Sequence, residues 1–394
     1  MPETQPGAEK DGARLMSIFR SDIMVDDYSI LGRLREISWG MVVLICTLAC
    51  VGFLCLYSAA NGNIEPWASR QIARFLFALG LLIVFALIDI RWFYRLAYPF
   101  YGLTLFLLIL VDIFGHIGMG AQRWLDLGIM KLQPSELAKI ATVLALARYF
   151  HGLEVGQARK LKNLILPAAM IVVPCGLVAV QPDLGTALAI CFAGGAMLFA
   201  GGVSIWVFVL LVSSGIAAIP VAWHFLHDYQ RNRVRIFMDP ESDPLGAGFH
   251  ITQSKIALGS GGIFGKGFLE GTQSHLNFLP EKHTDFIFTL WAEEWGLAGG
   301  VFLLTLLGMI ILYGYWIAFR CRHVFGRMLA FGLTFNFSVY VMINIGMVMG
   351  LLPVVGIPLP LMSYGGTAML TVMIAFGIIQ CCGIYRDTRL PRGL

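Results

Sequence analysis

Long apolar runs separated by shorter polar turns set the pattern of this chain. Met41 to Leu56, Phe75 to Ile88, Leu164 to Val180 and Val301 to Ile317 are nearly continuous in Leu, Ile, Val, Phe, Ala and Gly. They lack the two-residue alternation of barrel strands, and their lengths suit helices crossing a hydrocarbon layer roughly 30 Å thick. No water inside a bilayer satisfies backbone amides, so runs of this kind must cross as helices. The pattern predicts an all-α, polytopic membrane protein with about ten transmembrane helices, at about 38–59, 68–89, 95–115, 134–151, 162–180, 185–201, 205–226, 286–319, 327–350 and 367–385.

The polar segments divide the rest. Residues 1–37 are expected to form a cytoplasmic tail without a secretory signal, because their basic residues are not followed closely by a short apolar stretch and a small-residue cleavage site. Residues 38–385 form the ten-span domain, with a large extracytoplasmic loop at about 227–285 between spans seven and eight, and residues 386–394 form a second cytoplasmic tail. Orientation follows from Lys and Arg in the short loops. Arg33, Arg35, Arg91, Arg95, Arg148 and Arg159 fall on one side with the basic residues after spans eight and ten, whereas the other side carries chiefly Arg70, Arg123 and Lys131. Both termini are therefore expected in the cytoplasm.

Composition sharpens this picture. With 58% hydrophobic and 13% charged residues, the chain is far more apolar than a soluble domain, where roughly a quarter of residues are charged. The net charge of +4 is spread over many loops, and no basic patch interleaved with aromatics points to nucleic acid. None of the eight cysteines lies in the 227–284 loop, so a disulfide framework is not expected.

The unusual chemistry gathers where polar segments meet the expected extracytoplasmic ends of the spans. Asp285 stands where the long loop enters span eight; it fits a helix N-cap, and burial there would also make it a competent base. His283 and Asp285 offer two metal ligands without a third. Arg123 and Trp124 join a cation to an aromatic in a short loop, where Trp124 serves either as an interfacial anchor or as a substrate contact. Glu136 and Lys139, three residues apart, share a face of span four and read either as a structural ion pair or as the lining of a cavity. Gln181 to Thr186, including Asp183, is a tight turn. Pro358 to Thr367, including Ser363, is a kinked helix entry whose hydroxyls and amides could meet an anion. The glycine-rich stretch 259–267 lacks the pattern of a P-loop, and no Asp-x-Asp pair is present, so neither a nucleotide nor a nucleotide-sugar donor is supported.

Taken in order, Gln122-Arg123-Trp124, Gln133-Pro134-Ser135-Glu136, Gln181-Pro182-Asp183-Leu184-Gly185, Leu279-Pro280-Glu281 with His283-Thr284-Asp285-Phe286, and Met362-Ser363-Tyr364-Gly365-Gly366 resemble the SEDS family (shape, elongation, division and sporulation) of cell-wall glycosyltransferases, over about residues 35–386. Lys282 within that run resembles the elongation branch more than the division branch. The resemblance implies ten spans, an extracytoplasmic active site in a bacterial inner membrane, and a catalytic aspartate at Asp285. It also implies an inverting peptidoglycan glycosyltransferase that polymerises lipid II, working with a class B penicillin-binding protein. Arg123, Lys139 and Arg231, in that order, are the candidates for meeting the leaving pyrophosphate, with Mg²⁺ or Mn²⁺ as a possible aid. Glu136 would orient Lys139, while Trp124, Asp183, His283 and Ser363 complete the expected substrate site. A lipid flippase and a non-catalytic scaffold are the competing classes: the first needs a polar path to the cytoplasmic side, and the second needs no chemistry at Asp285.

Overall fold

The computed structural model describes residues 30–391 apart from 119–120, 127–130, 155, 182, 226–227, 241–242, 244–245 and 276–280. Residues up to Glu36 form one unit, containing the short helix α1 (Ile30–Glu36), and residues from Ile37 onward form a second. In the second unit each expected span coincides with a helix: α2 (Trp39–Ala59), α3 (Ala68–Leu87), α4 (Ile90–Phe114), α5 (Pro134–Gly152), α6 (Ile165–Val180), α7 (Leu184–Ala200) and α8 (Ile205–Phe225). After the shorter α9 (Asp228–Met238), α10 (Ala247–Ser260) and α11 (Thr272–His275) come the remaining three, α12 (Ile287–Arg320), α13 (Val324–Val348) and α14 (Gly366–Ile384). Span three begins earlier than the apolar run indicated, because the Asp89 side chain accepts a hydrogen bond from Arg91 N and caps α4 ahead of its basic first turn.

Among the described residues, seven helices are long and apolar enough to cross a membrane. Helix α5 is not one of them, and its packing explains why. It lies against α4, α6, α7, α13 and α14, and 15 of its 19 residues are buried. A helix that meets protein on every side need not be apolar, so it can carry Glu136, Lys139 and Thr142 at modest cost provided they find partners. Helix α13, in contact with α5, α7, α12 and α14, is the other wall of this interior.

Two departures from the expected pattern bear on function. The polar segment between α4 and α5 is a small antiparallel sheet of β1 (His116–Gly118), β2 (Ala121–Asp126) and β3 (Lys131–Leu132), with His116 opposite Trp124 and Leu125 opposite Leu132. The 34-residue α12 is broken at Gly296, whose φ of 66° is left-handed. At the break, Lys266 N and Gly267 N donate to Glu293 O and Glu294 O at 3.1 Å, while Leu297 N and Ala298 N donate to Gly262 O and Ile263 O at 2.9 and 3.0 Å. The segment after α10 thus replaces the hydrogen bonds that the break removes. A Cβ at position 296 would lie 2.3 Å from Gly265 N, so only glycine permits the insertion.

Candidate active site

Polar side chains of α5 and their partners build the first part of the site. Lys139 Nζ donates to Glu136 Oε1 at 2.8 Å and also to the Tyr340 hydroxyl, and it sits 3.8 Å from the centre of the Tyr340 ring. Thr371 of α14 donates to Glu136 Oε2 at 2.8 Å. Glu136 and Lys139 are each 5% exposed, yet both line a partly open cavity together with Tyr340, Pro360 and Thr371. Three spans therefore hold one ion pair beside a void, with hydrogen bonds on both carboxylate oxygens. Such satisfaction is what a buried charge pair requires.

Asp285 lies in the turn before α12. The helix starts at Ile287 with Phe286 at its N-cap position, one residue after Asp285. The turn is pinned through its carbonyls. Asn344 Nδ2 donates to Asp285 O at 2.9 Å and to Ile357 O at 2.7 Å, Ser363 Oγ donates to Thr284 O at 2.6 Å, and Tyr364 N donates to His283 O at 2.9 Å. Asp285 Oδ2 faces Gly356, where an added Cβ would be 3.5 Å away and φ is +76°. Asn344 and Tyr340 are four residues apart on α13, so the residue holding Asp285 and the residue touching Lys139 stand one turn apart on one face.

The remaining expected residues divide between this centre and its supports. Asp183 caps α7, accepting from Thr186 N at 3.4 Å, Gln133 Nε2 at 3.3 Å and Ser135 Oγ at 3.5 Å, and so ties the 181–186 turn to the start of α5. Arg123 Nε donates to Gln181 O at 3.2 Å, which fixes β2 to the same turn, and Trp124 beside it is half-buried. Arg231 donates to His224 O at 2.8 Å near the end of α8. Ser363 Oγ also accepts from Leu359 N at 2.8 Å, so its single proton is committed to Thr284 O and the hydroxyl acts as a clamp rather than an anion donor. His283 stacks on Trp67 with ring centres 4.4 Å apart, and burial pushes its pKa below the usual value. Among the described residues no three His, Cys, Asp or Glu side chains gather as a metal site, so His283 and Asp285 gain no third ligand. Pro182, Leu279 and Pro280 of the sequence motifs lie outside the described residues.

Several participants were missed by sequence reasoning. Tyr340, Asn344 and Thr371 are polar residues within spans, a signal that marks lined cavities, and their placement in otherwise apolar runs concealed it. Arg74 lies 4.8 Å from the Tyr364 ring centre and Trp67 covers His283; neither gave a local signal.

A membrane-embedded helical bundle with buried polar chemistry at the end bearing the long loop is the class that fold and site define. The chain belongs to the FtsW/RodA/SpoVE family of cell cycle proteins, whose pattern it matches over residues 38–387. It is 48% identical over 350 residues to the peptidoglycan glycosyltransferase MrdB of Escherichia coli K12, covering 88% of this chain and 93% of that protein. Its fold matches one chain of a solved peptidoglycan synthase complex described as coordinating polymerization and crosslinking, with a TM-score of 0.75, 33% identity, and coverage of 90% of this chain and 99% of that one. It also matches the rod shape determining protein RodA of Thermus thermophilus, with a TM-score of 0.69, 29% identity, and coverage of 90% and 98%.

Proposed function

We infer that this chain is a peptidoglycan glycosyltransferase of the elongation type, polymerising a disaccharide-pentapeptide carried on undecaprenyl pyrophosphate, with both termini in the cytoplasm and the loop-bearing end outside a bacterial inner membrane. The 4-hydroxyl oxygen of the acceptor sugar attacks the anomeric carbon of the donor glycan with inversion. Asp285 takes the hydroxyl proton, and the bond from the anomeric carbon to the pyrophosphate oxygen breaks. Pyrophosphate leaves as a stable anion, so the site needs positive charge more than a general acid. Lys139, held by Glu136 and lining the cavity, is the leading cation, with Arg123 and Arg231 as the alternatives.

The observation that carries this reading is the spacing on α13, where Asn344 fixes the Asp285 turn one helical turn from Tyr340 and its Lys139–Glu136 pair. A base anchored one helical turn from a buried cation suits glycosyl transfer from a lipid pyrophosphate. The likeness to MrdB and to a complex that couples polymerization with crosslinking supports the same activity and a class B penicillin-binding protein as partner. The test is direct. Purified chain with its transpeptidase partner, given lipid-linked disaccharide, should form long glycan strands; absence of polymer under conditions where the partner remains bound would refute the assignment.

A further inference from the structure

The break in α12 presents two adjacent carboxylates, Glu293 and Glu294, that the proposed reaction does not use. Glu293 is fully buried and accepts five hydrogen bonds. Its Oε1 receives Lys266 Nζ at 2.8 Å, Gln273 N at 2.9 Å and Thr272 Oγ1 at 3.4 Å, and its Oε2 receives Ser274 Oγ at 2.6 Å and Ser274 N at 3.1 Å. Ser274 in turn presents its carbonyl to Lys282 Nζ at 2.7 Å. Lys282 is 5% exposed and stands three residues before Asp285, in the turn closed by Thr284 N and Phe286 N on Glu281 O at 3.2 and 3.3 Å.

The anchors of this turn fall into two kinds. Asp285 O, Thr284 O and His283 O are held by Asn344, Ser363 and Tyr364, all from the last two spans and the segment between them. Lys282 is held by the long loop, and Glu293 is the group on which that stretch of loop converges. Glu294 grips the same loop differently: its Oε1 accepts from the Ser58 hydroxyl of α2 and from Leu269 N at 3.3 Å, and neither bond leads to Lys282.

We propose that Glu293 is a positioning residue for the reaction, acting through Ser274 and Lys282 to hold the Asp285 turn in its reactive geometry. The inference rests on the glycosyltransferase reading only for its kinetic consequence; the positioning itself is a structural claim. A carboxylate is needed because the side chains of Lys266, Thr272 and Ser274 and the amides of Gln273 and Ser274 all donate to it. Glutamine at 293 would turn an NH2 group towards some of these donors and free that part of the loop. A base displaced by about 1 Å loses rate without losing substrate, up to about 10²-fold.

The experiment uses the full chain with its partner and compares E293Q, K282M, K282R and E294Q in two measurements. Deuterium uptake over residues 281–290 needs no activity: exchange at the Thr284 and Phe286 amides should rise in E293Q and K282M and stay at the wild-type level in K282R and E294Q. With lipid-linked disaccharide, E293Q and K282M should lower kcat by about 10- to 10²-fold with KM within about twofold, while K282R and E294Q keep kcat within about threefold. Added to D285N, E293Q should cost nothing further, since its effect runs through the base that is already missing. Unchanged exchange in E293Q, or an equal loss of kcat in E294Q, would overturn the proposal. Failure of the wild type to polymerise would instead overturn the glycosyltransferase reading, and the exchange measurement would still decide this one.

Discussion

Asp285 and Phe286 are neighbours with different roles, since Phe286 occupies the N-cap of α12 and Asp285 keeps its carboxylate beside Gly356. His283, two residues earlier, is fixed between the Trp67 ring and the Tyr364 amide, and burial lowers its pKa more strongly than the Glu281 carboxylate raises it. The folded protein therefore binds fewer protons at this ring than the unfolded chain does just below the ordinary value of 6.5. The stability that His283 contributes is complete above that pH and is lost as pH falls from it towards the lower folded value. Wild type should lose more Tm between about pH 7.5 and about pH 5.5 than H283Q, and equal slopes would show that His283 does not titrate in the fold. At this scale the sequence disclosed which residues matter but not what each one does. The run from Glu281 to Phe286 and the Met362 to Gly366 motif marked the site, while Trp67 and Arg74 around it are distant in sequence and announce nothing locally.

Between elements, the ion pair of α5 decides whether the interior is catalytic or merely packed. Lys139→Met leaves Glu136 buried with its charge uncompensated, a loss of about 3–5 kcal/mol that would confuse inactivity with unfolding. The double variant E136Q/K139M removes both charges, so it should accumulate near wild-type levels while glycan synthesis falls by about 10²- to 10³-fold. Near-normal turnover of that variant would assign the pair a structural role and move the leaving-group cation to Arg123 or Arg231. The three-residue spacing of Glu136 and Lys139 made their shared face readable, whereas Tyr340 and Thr371 lie about two hundred residues away and only packing selects them. The break in α12 had a signal in its length: 34 residues would span about 51 Å as one helix, well beyond a hydrocarbon layer of roughly 30 Å. Its inserted segment, 262–267, has no periodicity of its own and takes its shape from the hydrogen bonds that α12 leaves open.

For the whole molecule, charge asymmetry across the short loops predicts an orientation that the helix arrangement alone does not set. In a background without native thiols, S242C, in the long loop but outside the described residues, should react with an impermeant maleimide on intact spheroplasts. R159C should react only after permeabilisation; the reverse pattern would place the cavity chemistry on the wrong side for an extracytoplasmic acceptor. The central claim, that Asp285 is the base, is tested most directly by the glycan synthesis rate of D285N with its partner and lipid-linked disaccharide. Asparagine keeps the shape of the side chain but cannot take the hydroxyl proton at neutral pH, and the backbone carbonyl that Asn344 holds is unchanged. The account predicts a stably inserted, partner-bound protein whose rate is lower by about 10²- to 10⁴-fold. Polymerisation by D285N at the wild-type rate would contradict it.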